Sequence, residues 1–182
     1  MEYESVCINL YYIDLGRCKM GKDIIFKTDE FVFSYRVAGL LLHDGKILLQ
    51  RPTGDTSYAI PGGHVELGET NEETLIREFK EEINVDVKVN SLRWVVELFF
   101  PWGDKPCHQI CLFYDVLLTE NANIPLSGAF WGSEQLEGKS FKLEFIWVDI
   151  KDIETIKLYP IEAKKYLAEG LKQLKHFVYK EF

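Results

Sequence analysis

A single domain of mixed strands and helices is what this sequence predicts, and three observations carry it. The 182 residues are 47% apolar and 14% aromatic, which is enough for one sizeable core and too apolar for a disordered chain. Strand-like patterning dominates as far as residue 118. Two segments break it with helical spacing, one at 71–83 and one near the C-terminus. Composition and element order alone allow an α+β arrangement.

The elements follow in order along the chain. Residues 1–30 are the least regular, with short strand candidates at 8–12 and 24–26. Residues 31–42 predict a long strand. Asp44-Gly45 is a hairpin turn signal, and 46–50 returns. Thr70 is an N-cap residue type with Glu73 three positions on, so a capping box opens a helix over 71–83. Leu75, Ile76, Phe79 and Ile83 share one arc of about 100° at the helical period, and Glu78, Glu81 and Glu82 share a second, roughly opposite. Lys80 points away from both. Asn84 tolerates the left-handed conformation that ends helices. Residues 85–89 alternate apolar and polar, a half-buried strand. Residues 92–100 and 108–118 form another strand pair around the turn at 101–106. Residues 121–140, with Gly128, Gly132 and Gly138, read as a long loop, and 145–150 as the last strand. Pro160 suits the first turn of a C-terminal helix, in which Ala163, Leu167, Leu171, Leu174 and Val178 make a core stripe.

Charge and composition exclude several classes. A net charge of −8 disfavours broad binding to nucleic acid or to an anionic membrane. No run of about 18 apolar residues predicts a membrane span. The first residues lack a basic segment followed by an apolar one, so no secretory signal is expected and the location is read as cytoplasmic. Four cysteines in a chain of this length do not make a disulfide scaffold. Cys107-His108-x-x-Cys111 holds zinc-ligand types. On a strand, however, 107, 109 and 111 share one face and His108 takes the other, which favours ordinary strand cysteines.

The chemistry concentrates in GHVELGETNEETLIREFKEEINV, residues 63–85. Seven glutamates (66, 69, 72, 73, 78, 81 and 82) fall within seventeen residues. Like charges at i, i+4 on a helix cost about 0.2–0.5 kcal/mol per pair, so the cluster needs solvent or a cation. Ile60-Pro61-Gly62-Gly63-His64 precedes it. Glycines let backbone approach a ligand closely. A hard cation such as Mg²⁺ takes carboxylate, phosphate and water oxygens. Arg77 lies among the acids, able to pair with Glu69, Glu73 or Glu81 and to brace the loop against the helix.

This stretch resembles the Nudix box, G-x5-E-x7-R-E-U-x-E-E-x-G-U, where U is a bulky apolar residue. Gly63, Glu69, Arg77, Glu78, Phe79, Glu81, Glu82 and Val85 fit at the required spacing. Asn84 stands where the pattern has glycine. The resemblance implies an α/β fold, an α/β/α sandwich around a mixed sheet with the box forming loop–helix–loop. It covers roughly residues 31–178 and leaves 1–30 as a variable N-terminal extension ahead of a single domain at 31–182. In some relatives such an extension mediates a homodimer.

The resemblance also implies Mg²⁺-dependent hydrolysis of a nucleoside diphosphate linked to another group, with Mn²⁺ as a substitute metal. Glu78, Glu81 and Glu82 are then the metal ligands, joined by the Gly62 carbonyl, and Glu69 with Arg77 is the structural brace. Glu78, Glu82 and Glu144 are the catalytic candidates. Glu144 lies where relatives carry a base near the last strand, and Glu134 and Glu137 are its rivals. Glu97 is a further acid that faces the site or is buried with Arg93. Arg51, Gly63, His64 and Tyr58 are expected at the substrate, with Arg36 a weaker phosphate contact. Phe99, Phe100, Trp102 and Trp131 are candidates for base stacking. Pro101, sixteen residues past the box, is typical of ADP-ribose-hydrolysing relatives and equally suits a plain turn. ADP-ribose or a nucleotide sugar is the favoured substrate. The alternatives are a nucleoside triphosphate pyrophosphohydrolase for oxidised nucleotides and a non-catalytic nucleotide-binding module.

Overall fold

A computed structural model describes residues 22–136, 139–171 and 173–182, the side chains at 134–136, 139 and 140 excepted. The elements in chain order are β1 (Ile25–Lys27), β2 (Val32–His43), β3 (Lys46–Pro52), β4 (Tyr58–Ala59), α1 (Asn71–Ile83), β5 (Val87–Trp102), β6 (Lys105–Leu118), β7 (Ala129–Leu136), β8 (Lys139–Asp149), a 3-10 turn (Ile150–Thr155), β9 (Leu158–Tyr159), α2 (Ala163–Glu169) and β10 (Lys175–Lys180).

The strands form one mixed sheet in the order β10-β5-β6-β2-β3-β4-β9. β2 runs parallel to β6 over ten residue pairs, from Val32↔Cys107 to Leu41↔Val116. Its other neighbour, β3, meets it only at Leu42↔Ile47 and His43↔Lys46. Beyond that hairpin the two strands splay, and the gap between them opens the cleft described below. β3 continues into β8 over seven pairs, Lys46↔Asp149 to Pro52↔Leu143.

Alternation along β2 sends Val37 and Leu41 to one face and Ala38 and Leu40 to the other. The first face packs under Leu75 and Phe79 of α1, with Leu48, Phe145 and Trp147. The second packs with Trp94, Val96 and Phe113 under Ala163 and Leu167 of α2. Helices on both faces of a mixed sheet make the expected α/β sandwich. Leu75 is 0% and Phe79 2% exposed, and burying side chains of this size is worth about 1.5–3 kcal/mol each.

Helix α1 matches its sequence signals. Thr70 accepts from the Glu73 backbone while the Glu73 side chain accepts from Thr70, and Asn84 closes the helix in the left-handed region at φ 53°. Ile76 departs from the expected packing face and is exposed. The buried stripe instead runs through Leu75, Glu78, Phe79 and Glu82, because the loop before the helix covers the acidic side.

Three elements differ from expectation. Residues 129–136 do not lie in a long loop. They form β7, antiparallel to β8 from Ala129↔Ile146 to Leu136↔Lys139, a long-range pairing that glycine-rich local sequence does not reveal. The strands expected at 85–89 and 92–100 are one strand, β5, with register shifts between Val89 and Trp94. The C-terminal helix is short: it begins at Ala163, three residues past Pro160, and stops at Gly170. Residues 175–180 form β10, parallel to β5 from Lys175↔Trp94 to Lys180↔Phe99. Leu174 and Val178 are therefore exposed while Phe177 and Tyr179 are buried. Period two, aromatic and β-branched, overrides the leucine spacing read as a helix.

The strand candidate at 8–12 and the residue Glu137 lie outside the described residues. β1 pairs with β2, and Asp23 bridges to Glu66, so residues 23–27 are joined to the domain ahead of residue 31.

Candidate active site

The loop before α1 is held against β2 from both sides. Val37 N–H donates to the Gly63 carbonyl at 2.9 Å, and Gly39 N–H to the Pro61 carbonyl at 2.8 Å. Gly62 adopts φ 149°, a backbone conformation that glycine takes without penalty. At Gly63, a side-chain carbon would land inside the Glu78 carboxyl group. The bare backbone is what lets that acid lie against the loop.

Arg77 organises the cluster. Its Nε and Nη2 donate to the two oxygens of Glu69 at 2.8 and 3.0 Å. Nη1 donates to Glu78 at 2.8 Å and to Glu81 at 3.2 Å. Nη2 also reaches the His64 carbonyl at 3.2 Å, which ties helix to loop. The acids therefore fan around a guanidinium. Burial raises the Glu78 carboxyl above the ordinary carboxylate range, and the charges of Arg77 and Arg36 act against that rise. Glu69 is held below it by its hydrogen bonds to Arg77.

Above the loop lies a cleft of about 650 Å³ where β2 and β3 diverge. Arg36, His64, Gln50, Arg51, Tyr58, Phe100, Trp102 and Gln109 line it. Arg36 stands mid-strand and donates to the Gly62 carbonyl, so the expected metal-ligating carbonyl meets a guanidinium here. Arg51 stacks over the Tyr58 ring at 4.5 Å and is ion-paired with Glu144, its cross-strand partner. The Glu144 carboxylate is thus engaged by Arg51, and Glu144 is not among the residues that line the cleft. His64 is 8% exposed, and its imidazole is pushed down to about 3, first by burial and then by the charges of Arg36 and Lys27. It is neutral at pH 7.

Several candidates sit elsewhere. Glu97 faces away from the cleft and contacts His176 at 2.9 Å, while Arg93 pairs with Asp115. Phe99 shares that outer face, stacked on His108 at 4.2 Å. Cys107, Gln109 and Cys111 share the buried face of β6 opposite His108, as strand geometry requires. Trp131 is exposed under Lys142. Pro101 faces Pro106 across the β5–β6 hairpin.

Residues 34–169 match the NUDIX domain, well over half of the chain. The chain belongs to the Nudix hydrolase family. An ADP-ribose pyrophosphatase of Methanocaldococcus jannaschii is 36% identical over 105 residues, covering 50% of this chain and 61% of that protein. This chain therefore spans less than two thirds of that relative's length. The uncharacterized Nudix hydrolase YvcI of Bacillus subtilis is 26% identical over 126 residues, covering 69% and 72%. Among solved structures, a NUDIX hydrolase from Nitrosomonas europaea superposes with a TM-score of 0.57 at 18% identity, over 85% of this chain and 82% of that one. That likeness shows the fold.

Sequence reading missed part of the Nudix cleft. Gln50 and Gln109 carried a weak signal, each a polar residue in an apolar strand. Tyr179 and Glu181 carried none, because their segment read as helix.

Proposed function

We propose that this Nudix protein hydrolyses the pyrophosphate bond of a nucleoside diphosphate linked to another group, ADP-ribose or a nucleotide sugar, as a Mg²⁺-dependent cytoplasmic enzyme. One observation carries the reading: acids on α1, with Glu78 and Glu82 buried, pack against a glycine loop beside a cleft that carries arginines and is large enough for a nucleotide. The name of the Methanocaldococcus relative supports the substrate class.

The donor types suit a hard divalent ion, although among the described residues no three acids are yet drawn around one point, Glu81 pairing with Arg77 and the Gly62 carbonyl with Arg36. Glu78, Glu81, Glu82 and the Gly62 carbonyl offer oxygens only, and burial at Glu78 disfavours its charge unless a cation compensates. These residues would hold Mg²⁺, or Mn²⁺ in its place. When bound, the metal supplies charge neutralisation for the phosphates and a more acidic water.

The chain's own residues do the rest. Arg36 presents a cation in the cleft whose hydrogen-bond partner is a neutral carbonyl, so an anionic phosphate oxygen competes well for it. Neutral His64 offers a hydrogen bond without adding charge. Arg77 and Glu69 fix the loop on the helix and limit repulsion among the acids. Arg51 and Glu144 act as a pair: a phosphate that takes Arg51 releases the Glu144 carboxylate to accept a proton. Tyr58 gives Arg51 a flat support.

The test is a hydrolysis panel with Mg²⁺ present or chelated. It holds ADP-ribose, sugar nucleotides, dinucleoside polyphosphates, and normal and oxidised nucleoside triphosphates. Metal-dependent cleavage of the first two classes is expected. Glu82→Gln should lower turnover by roughly a hundredfold or more and leave the circular dichroism spectrum unchanged. Wild-type turnover in that variant would sink the metal assignment.

A further inference from the structure

The cleft has a wall in which Tyr179 and Glu181 lie outside the family-matched residues 34–169 and Tyr159 lies within them. β10 adds to the sheet beside β5 and brings Tyr179 into the cleft, and Glu181 follows it. The Glu181 N–H donates to the Phe99 carbonyl at 2.9 Å, which fixes the backbone that carries its carboxylate. Tyr159 arrives from β9 and meets Tyr179 edge to face, centroids 5.8 Å apart. Ends of strands on both sides of the sheet thus close this end of the cleft.

Tyr179 and Glu181 stand across the sheet from Arg36, while Tyr159 lies two strands from β3, which carries Arg51. Tyr179 pairs with Leu98, Leu98 with Gln109, and Gln109 with Ser34. Counted along the curled sheet, three strand spacings, roughly 14 Å, separate Tyr179 from the strand that carries Arg36. A ring-bearing group fits in that interval beyond a phosphate.

Two acceptors face that group, Glu181 at the exposed rim and Gln50 inside the cleft. An ionised carboxylate such as Glu181 only accepts hydrogen bonds. The Gln50 carbonyl oxygen is buried in the same cleft, on a side chain 6% exposed, and has no hydrogen-bond partner among the described residues. A buried acceptor of this kind calls for a donor. The Tyr179 phenol is pushed up to about 12, chiefly by burial and then by the charge of Glu181, so it stays protonated beside them.

We infer that Tyr159, Tyr179 and Glu181 form a specificity wall that binds a ring group rich in N–H or O–H donors at the end of the substrate remote from Arg36. The inference rests on the nucleotide reading above. Within a nucleoside diphosphate substrate, such donors come either from the amino edge of the base or from the hydroxyls of the terminal sugar.

The test separates these sources. ADP-ribose is compared with inosine diphosphate ribose, which lacks the base amino group, and with the methyl ester of ADP, which lacks the terminal sugar. Each is measured in the full chain by turnover with Mg²⁺ and by calorimetric binding both with Mg²⁺ and with the metal chelated, where cleavage is stopped. One analogue should bind at least about tenfold more weakly than ADP-ribose, as expected for loss of a hydrogen bond to a charged group. Adding Glu181→Gln should erase that difference, raising KM for ADP-ribose with kcat retained. The analogue whose penalty disappears identifies the group on the wall. Tyr179→Phe keeps the ring and provides a second, folded variant, expected to weaken ADP-ribose binding by a smaller factor. If Glu181→Gln discriminates both analogues as its parent does, the inference is overturned. If discrimination is lost as expected but wild type cleaves nothing, the hydrolytic reading fails and the wall stands. No binding of any of the three overturns both.

Discussion

Gly63 and Glu78 show how tightly one residue can constrain another. The carboxyl group of Glu78 occupies the space a Gly63 side chain would need. Gly63→Ala should cost about 1–3 kcal/mol through overpacking and should depress turnover together with stability. An unchanged urea midpoint would show that Glu78 is free to step aside. His64 gives a pH signature. Its folded-state value is about 3, against about 6.5 when unfolded. Below pH 6.5 the unfolded chain takes up a proton that the folded one does not. Stability is thus lost as pH falls from 6.5 towards 3, with a slope of up to about 1.4 kcal/mol per unit. The raised carboxyls of Glu78 and Asp23 act with the opposite sign, since a folded state that keeps its proton longer gains stability as pH falls. They are present in a His64→Gln variant too, and the difference between the two proteins isolates the histidine. Urea midpoints at pH 7, 6 and 5 should converge on the variant's as pH rises, and two parallel curves would refute the assignment. Residues of this kind are legible as types in the sequence. Their burial is not, because it depends on the loop folding back over the helix.

At the scale of elements, α1 was the most legible part of the chain. Its capping box, its apolar stripe and its terminal asparagine all act over four residues or fewer, so local sequence contains them. Asn84 sits at φ 53°, which predicts the effect of replacing it. Asn84→Gly should change stability by less than about 1 kcal/mol, since either residue accepts that conformation. Asn84→Val should cost about 1–2 kcal/mol, read as a shift in urea midpoint. Equal midpoints for the glycine and valine variants would mean that the cap relaxes. β7 and β10 were illegible for the opposite reason. β7 is specified by pairing with β8 across the chain, and β10 by a parallel partner some eighty residues away. The leucines at 167, 171 and 174 fit a helical stripe until the sheet edge offers Lys175–Lys180 a partner.

Across the whole molecule, the acid cluster and the cleft belong to different layers that only the fold brings together. α1 packs on one face of the sheet, while the wall of the cleft comes from the other. A ligand that binds the folded state alone stabilises it by mass action. At a hundred times its Kd, Mg²⁺ should add about 2.7 kcal/mol, which for a chain of this size is roughly 5–10 °C in Tm. Scanning calorimetry in Mg²⁺ and in chelator should show that rise, and Glu78→Gln should abolish it. A rise of equal size in that variant would place the cation elsewhere. Local sequence determined the glycine loop and acidic helix, the residue types gathered there and the family, because capping, helical period and motif spacing are short-range properties. Tertiary structure decided that Glu78 and Glu82 are buried, that Arg51 and Glu144 engage each other, and that a C-terminal strand walls the cleft. Each of those depends on partners far apart in the chain, which meet only when the sheet has formed.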